Sequence, residues 1–294
     1  MDGHHAFFRQ VEFRQNRDFR RDFAAGAAAM TQPDIAALAG FAGELADAAG
    51  RITLAHFRAG GRVDNKAREG AAFDPVTVAD REAEAAIRAM IEARHPDHGI
   101  SGEEHGAKQA GSGYVWHIDP IDGTRSFIIG VPLWGTLIGL EVDERPVVGI
   151  LDQPHIGERF IGAPDGARLV GARGRTRLAT STCTRIGQAR LGTTAPQLFA
   201  PGEEAERFAA IEARARLARY GGDCYFYAML AAGHLDLVVE AGLNSYDIVA
   251  LIPIIEAAGG VVTTWDGASA RRGGRIVAAA TAELHAEALR VLGA

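Results

Sequence analysis

Cysteine, long apolar runs and surplus positive charge are all scarce in this chain of 294 residues. Its only cysteines are Cys183 and Cys224. Two thiols so far apart supply neither a disulfide framework nor a zinc ligand set, and they suit a reducing cytoplasm. No apolar run approaches the roughly 18 residues of a membrane span. Basic residues number 31 against 37 acids, a formal net charge of -6. That balance excludes the electrostatic footprint of a nucleic-acid binder. The opening stretch, MDGHHAFFRQVEFRQNRDFRRDFAAGAAAM, lacks the compact apolar core of a secretory signal. Residues 1–29 are expected to form a loosely ordered extension, with Met30 before Thr31 as an alternative start.

What is present is ordinary for a soluble globular chain, 23% charged and 47% hydrophobic. TQPDIAALAGFAGELADAAGRITLAHF predicts a helix. Pro33 sits in its first turn, and Ile35, Leu38, Phe41, Leu45, Ala48 and Ile52 recur at helical spacing. GRVDNKAREGAAFDPVTVADRE predicts a mobile loop or hairpin, extended at Val76 to Val78. ADREAEAAIRAMIEARHP predicts a second helix, with Asp80 at its N-cap and Pro96 as its stop. HGISGEEHG is a short strand and turn.

From Tyr114 onward YVWHI, TLIGLEV and VVGILDQP read as short strands, and RFIGAPDGARLVGARG as a glycine-rich hairpin. ARLGTTAP, LDLVVEA, VVTTW and RIVAAA are further strands. ERFAAIEARA, CYFYAMLAAGH, SYDIVALIPIIEAAGG and AELHAEALRVL are helices, the third taken as continuous. Such alternation implies layers of sheet and helix, a mixed α/β fold.

The stretch WHIDPIDGTRSF, residues 116–127, sets the chemical question. Asp119 and Asp122 flank a proline at the end of an apolar strand. Carboxylates so close raise each other's pKa unless a positive charge lies between them, and a metal ion answers that need. Asp80, Glu103, Glu104 and Asp247 also fall at strand ends or helix starts, positions that converge at the ligand edge of layered sheets. Hard divalent cations take such oxygen ligands, and Mg²⁺ shares its shell with phosphate. Gly123 lets backbone N–H groups approach an anion. Read alone, each motif has a plainer meaning: a turn for DPID, solvated loop acids for GEE, an N-cap for Asp247.

Together these motifs resemble the inositol monophosphatase family of Mg²⁺-dependent phosphatases. DPIDGT at 119–124, SGEE at 101–104 and YDIVALIPIIEAAGG at 246–260 carry the resemblance, which runs from about Pro33 to the C-terminus. It implies a layered αβαβα sandwich over residues 30–294, usually a homodimer. A metal-binding half is expected over about 30–175 and a substrate-binding half over about 176–294. It implies two or three Mg²⁺ ions per site, held by Glu103, Asp119, the Ile121 carbonyl, Asp122 and Asp247. Asp80 and Thr124 are expected beside the attacking water, with Glu104 in the outer metal shell. Gly123, Thr124, Asp122 and Asp247 are expected to face the substrate. The partner implied is a small phosphate ester, with no nucleic acid and no membrane, in the cytoplasm.

The alcohol part of that ester is read from RYGGDCYFY and VVEAGLNSYD. Tyr246 stands where inositol-specific members more often carry tryptophan, and GGDCY is closer to the histidinol-phosphate phosphatase branch. Histidinol phosphate carries an ammonium, which Asp223 and Glu240 would hold by charge-assisted hydrogen bonds, with Cys224 beside them. Asp223 reads equally as a turn or N-cap acid. An inositol-1-phosphate or broad-specificity monophosphatase is the alternative, and a non-catalytic regulatory partner a third reading. Tyr225, Tyr227, Trp116 and Trp134 are expected to pack, His117 to be a hydrogen-bonded structural histidine, and Arg185 and Arg190 to lie on the surface.

Overall fold

The computed structural model describes residues 32–60, 63–65 and 75–293. The expected extension over 1–29, Met30 and the centre of the expected loop lie outside the described residues. Helix α1 (Gln32–His56) buries Ile35, Leu38, Phe41, Ala42 and Leu45. Strands β1 (Val63–Asn65) and β2 (Pro75–Thr77) pair antiparallel, the two ends of the expected hairpin. Helix α2 (Val78–Arg94) buries Ala79, Ala83, Ile87 and Ile91, a four-residue repeat along one face. Its N-cap is Thr77, whose hydroxyl accepts from the Ala79 amide, so Asp80 is not the cap as expected but the third helical residue. Threonine reaches the free amides as well as aspartate does, and its extended φ of -111° ends β2 there.

Eight strands make the larger sheet: β3 (Gly99–Gly102), β4 (Gly106–Lys108), β5 (Tyr114–Asp122), β6 (Gly135–Val142), β7 (Arg145–Gln153), β8 (Glu158–Ala163), β9 (Gly166–Gly171) and β10 (Gly174–Arg177). They lie in the order β10-β9-β8-β7-β6-β5-β3-β4. The second sheet holds β11 (Arg190–Thr193), β12 (Leu217–Tyr220), β13 (Leu237–Leu243), β14 (Val261–Thr264) and β15 (Gly274–Ala279), in the order β12-β11-β13-β15-β14. The remaining helices are α3 (Thr124–Ile128), α4 (Glu203–Glu212), α5 (Asp223–Ala231), α6 (Ser245–Ile248), α7 (Leu251–Ala257) and α8 (Ala282–Leu292). Helices α1 and α2 cover the outer face of the large sheet. Helices α5 and α7 fill the space between the sheets, and α4 and α8 close the far face. The αβαβα layering expected from the resemblance is what the chain adopts. Among the described residues no helix is long and apolar enough to cross a membrane.

The middle layer sits close because three glycines in cross-strand register open a trench in the large sheet. Gly139 lies opposite Gly149, and Gly149 opposite Gly162. A Cβ on Gly149 would fall 1.8 Å from the Ala250 carbonyl oxygen, and one on Gly162 2.3 Å from the Ile254 nitrogen. The backbone joining α6 to α7 therefore rests on the sheet with no side chain between. That backbone is not the unbroken helix expected. Val249 and Ala250 keep helical angles, yet the hydrogen-bond ladder lapses between Ile248 and Leu251. Pro253 has no N–H to offer the Val249 carbonyl.

Substituting Gly149 by alanine should cost about 3 kcal/mol or more, the upper range for an overpacked core. Gly40, on the exposed side of α1, has nothing within 4 Å of an added Cβ. Gly40→Ala should instead stabilise by about 0.5–1 kcal/mol through helix propensity. Urea unfolding midpoints of the two variants check these opposite signs.

Candidate active site

Strand parity selects which side chains face the middle layer. On β5, Trp116 and Ile118 join the core under α1 and α2, so His117 and Asp119 face the other way. Asp122 lies three residues on and would point outward on a regular strand. Instead the register slips, Asp119 pairing with Leu137 and Asp122 with Gly135. The extra residue is a bulge, which resets the alternation, and Pro120 has no N–H to lose there. Its carbonyl accepts from Thr136 Oγ1 at 2.8 Å. Ile121 turns into a separate apolar cluster with Phe57, Ala79, Phe127 and Trp134.

Asp247 reaches the same place from α6. Carboxylate oxygens of Asp119, Asp122 and Asp247 lie within 4.8 Å of one another. Each is held by backbone. Asp119 Oδ1 accepts from the Ile121 amide at 3.0 Å, Asp122 Oδ1 from the Cys224 amide at 2.8 Å, and Asp247 Oδ2 from the Asn244 amide at 2.6 Å. Glu103 belongs to the cluster as well, because its charge bears on all three and on Asp80. Burial first, then Glu103, Asp122 and Asp247, pushes Asp119 well above the usual carboxylate range. Burial and then Asp223 raise Asp122 to about 7. Burial, then Asp122, raises Asp247 well above the usual carboxylate range.

Asp80 occupies the third position of α2 and is 1% exposed. Its Oδ2 accepts from the Thr77 amide at 2.8 Å and the Thr77 hydroxyl at 2.5 Å. Its Oδ1 is buried with no partner among the described residues. Burial raises this acid to about 6, against the Thr77 hydrogen bonds. Thr124 Oγ1 donates to the Ile121 carbonyl at 3.0 Å. Gly123 precedes it at φ 86°, where an added Cβ would lie 2.9 Å from the Leu133 carbonyl. Only glycine fits both the angle and the space.

Glu104 is half-buried beside Glu103, its amide donating to Glu84 Oε2 at 2.7 Å. Glu84 is a residue the sequence reading missed. It is fully buried, takes the Glu104 and His105 amides, and pairs with Arg88 Nε at 2.6 Å. It thereby anchors the loop carrying Glu103. The signal was available: Asp80, Glu84 and Arg88 repeat every four residues, one helix face.

Asp223, Cys224 and Glu240 line the other side. Asp223 is the first residue of α5, after Gly222 as cap, so the N-cap reading fails. Its Oδ2 lies 3.5 Å from Ser126 Oγ, and burial raises it despite Thr194, Arg125 and Ser126. Glu240 shares with Val238 the face of β13 turned to the middle layer. Its Oε1 accepts from the Thr194 amide at 2.6 Å and hydroxyl at 3.1 Å. Burial raises it to about 8.

Other expectations need correction. His117 is buried with neither ring nitrogen hydrogen-bonded among the described residues. Glu141 Oε2 stands 4.0 Å away. Burial, helped by Arg271, holds His117 near 4, so it stays neutral. Arg190 does not sit free on the surface. It grips Asp236 with Nε at 2.8 Å and Nη2 at 2.7 Å, pinning β11 to the turn before β13.

The charges that act most on Asp119, Asp122 and Asp247 are all negative. A donor set made only of carboxylate and carbonyl oxygen fits a hard divalent cation, and Asp80 Oδ1 is left over for a water. Without such a cation the acids should make stability fall as pH rises. Unfolded aspartate ionises near 4 but Asp122 in the fold at about 7, so its contribution is full below about pH 4, falls progressively above that and is gone once pH has risen through 7. Buried His117 and His285, both near 4, would destabilise only below their unfolded value of about 6.5. Melting temperature in chelator should therefore drop from about pH 6.5 to about pH 8.5. Mg²⁺ or Asp122→Asn should flatten the slope, and a rise over that window would show the acids are not mutually strained.

Comparison with known proteins agrees with this geometry. The model described as the inositol monophosphatase family matches residues 34–293. The chain is 40% identical over 260 residues to the chloroplastic bifunctional phosphatase IMPL2 of Arabidopsis thaliana, covering 84% of this chain and 72% of that protein. It is 36% identical over 225 residues to the histidinol-phosphatase of Chlorobaculum parvum, covering 76% and 84%. Among solved structures, an inositol monophosphatase from Zymomonas mobilis superposes with a TM-score of 0.77 at 40% identity, covering 87% of this chain and 97% of that one. The chain belongs to the inositol monophosphatase family and is a phosphoric monoester hydrolase.

Proposed function

We propose that this phosphatase is Mg²⁺-dependent and hydrolyses histidinol phosphate to histidinol and phosphate, a step of histidine biosynthesis. The observation that carries the substrate is a pair of acids beyond the proposed cation cluster, Glu240 buried and Asp223 half-buried. Asp223 and Glu240 face the site, and no basic side chain pairs with Glu240 among the described residues. A buried carboxylate without a counter-charge is costly even when hydrogen-bonded. The ammonium of histidinol phosphate would supply the missing charge and return Glu240 to its ionised form. A neutral polyol gives neither.

Glu103, Asp119, the Ile121 carbonyl, Asp122 and Asp247 would hold two or three Mg²⁺ ions, with Glu104 behind them. Bound there, the ions would supply Lewis acidity and charge neutralisation to the phosphate, as two-metal sites do. The chain's own groups orient the nucleophile. Thr124 Oγ1 has committed its hydrogen to the Ile121 carbonyl, so toward a water it can only accept. Asp80 Oδ1 is the second free acceptor. A water donating both hydrogens to these oxygens presents its lone pairs to phosphorus, and Asp80 can take the proton released. The amides of Gly123 and Thr124, with no intrahelical acceptor, would hold phosphate oxygens. Asp122, Asp247 and Cys224 complete the wall nearest the ester oxygen. On this reading the half over about 30–175 carries most cation ligands and the half over about 176–294 the alcohol pocket. A second copy of the chain is the expected partner.

The likeness to a solved inositol monophosphatase favours inositol 1-phosphate as the second reading. With Mg²⁺, kcat/KM should favour histidinol phosphate over inositol 1-phosphate at least a hundredfold, about 2.7 kcal/mol. Asp223→Asn should abolish most of that preference. Equal or reversed values for the wild type would discard the histidinol assignment and leave the phosphatase.

A further inference from the structure

The turn between β3 and β4, residues 102–106, carries Glu103, and its own sheet holds it weakly. Strand β4 is three residues long, ends the order of the large sheet and is mostly exposed. In the parallel register of β3 and β5, Gly102 lies opposite Ile118, and the Glu103 amide donates to the Ile118 carbonyl at 3.2 Å. Glu103 therefore stands beside Asp119. Two carboxylates so placed repel each other, and a turn at a sheet edge can swing away to relieve that repulsion.

Helix α2 closes off this freedom. Glu84 Oε2 accepts from the Glu104 amide at 2.7 Å, and Oε1 from the His105 amide at 3.1 Å. Arg88 Nε donates to Glu84 Oε1 at 2.6 Å, and its Nη2 donates to the Gly106 carbonyl. Three successive residues of the turn are thus tied to two side chains on one face of the helix. The Glu84 side chain is 0% exposed and that of Arg88 13%. A glutamate so deeply buried is exceptional, and its desolvation is costly even in a good ion pair. Both of its oxygens are spent on the turn.

Gly102 makes the room. It has no left-handed backbone angle to require glycine. A Cβ there, however, would fall 2.1 Å from Glu84 Oε1 and 2.8 Å from Arg88 Nη2. The first glycine of the SGEEHG stretch is therefore a matter of space for the clamp.

We infer that Glu84, braced by Arg88 and admitted by Gly102, is a positioning residue that holds Glu103 against Asp119 and so sets the affinity of the site for its cation. This rests on Glu103 being a cation ligand, as proposed above. The clamp grips backbone amides, so it fixes the turn whatever charge the Glu103 side chain carries.

Mg²⁺ alone is the probe. In chelator, the Glu104 and His105 amides of the wild type should exchange hydrogen roughly a hundredfold more slowly than those of an open turn. Glu84→Gln keeps the shape but turns an NH₂ group toward one of these donors. Exchange at 104 and 105 should then accelerate about tenfold, while the Ile121 and Cys224 amides keep their rates. The Mg²⁺ Kd, read by titration calorimetry, should rise about tenfold, the scale of one lost hydrogen bond to a charged group. At saturating Mg²⁺, kcat should change less than about twofold. Gly102→Ala reaches the clamp from the other side and leaves the charges of α2 intact, so it carries the test if Glu84→Gln does not fold. It should weaken Mg²⁺ to a similar degree, and the double variant should be little worse than either single one.

A lowered melting temperature with an unchanged Mg²⁺ Kd would leave Glu84 a purely structural acid. Fast exchange at 104 and 105 in the wild type would show that the turn is not clamped. Faster exchange at Ile121 and Cys224 as well would make the loss a general loosening. Each of these results overturns the inference. Glu103→Gln tests the ligand reading separately. If it leaves the Mg²⁺ Kd unchanged, that reading fails, and the exchange rates still decide whether Glu84 holds the turn.

Discussion

The structure depends on keeping several carboxylates together that repel one another. Asp119, Asp122 and Asp247 converge within 4.8 Å in a buried place, with Glu103 acting on each. Nothing in their own chemistry brings them there, since ionised carboxylates at this spacing oppose the fold. The scaffold must therefore hold each one by bonds that do not depend on its charge. Amides do this: those of Ile121, Cys224 and Asn244 donate to the three aspartates in turn. Carboxylates fixed in this way would spare a bound cation and the transition state the cost of rearranging the chain.

Two of the acids are placed by one device used twice. Thr77 and Asp80 form a capping box at the start of α2, and Asn244 and Asp247 form another at the start of α6. In each box the acid gives one oxygen to the backbone of the cap residue. The other oxygen is then aimed by the helix start and is available to the site. A box of this kind is usually read as a stabilising end of a helix. Here it also serves as a clamp with one free jaw, and both helices deliver theirs to the same middle layer. The position of α6 follows in turn from the glycines at 139, 149 and 162, because only a bare sheet face lets the Ala250 backbone approach so closely.

Much of this was legible in the sequence. Helix and strand order, the layered fold and the acids at 103, 119, 122 and 247 followed from apolar periodicity and from motif spacing. The three-residue gap between Asp119 and Asp122 was read as a shared site, but its cause was not visible. A strand places residues three apart on opposite faces, and only the slip against β6 reveals the bulge. Thr77 was passed over because threonine suits strands as well as caps, and the chain uses it as both ends meet. The break at Pro253 was readable from proline chemistry, yet the apolar run on either side outweighed it. Glu84 was hidden among the other charges of α2, since a fully buried glutamate is exceptional and its partners come from a loop twenty residues away. The orphaned nitrogens of His117 are a property of tertiary packing alone, and no pattern in one sequence encodes them.

The division of labour within the site follows from which elements supply it. The cation ligands proposed here come mainly from β5 and the loop after β3, central parts of the large sheet whose strands are paired on both sides. The proposed alcohol side comes from the first turn of α5 and from β13, where Asp223 adopts a positive φ of 43° and Glu240 hangs on two threonines. Changes there leave Asp119, Asp122 and Asp247 in place, with one exception. The Cys224 amide couples the two sides by holding Asp122. A shift of α5 to suit a different alcohol would move that amide and loosen Asp122. On the proposed reading, substrate choice is therefore freer in the side chains of Asp223 and Glu240 than in the path of the backbone that carries them.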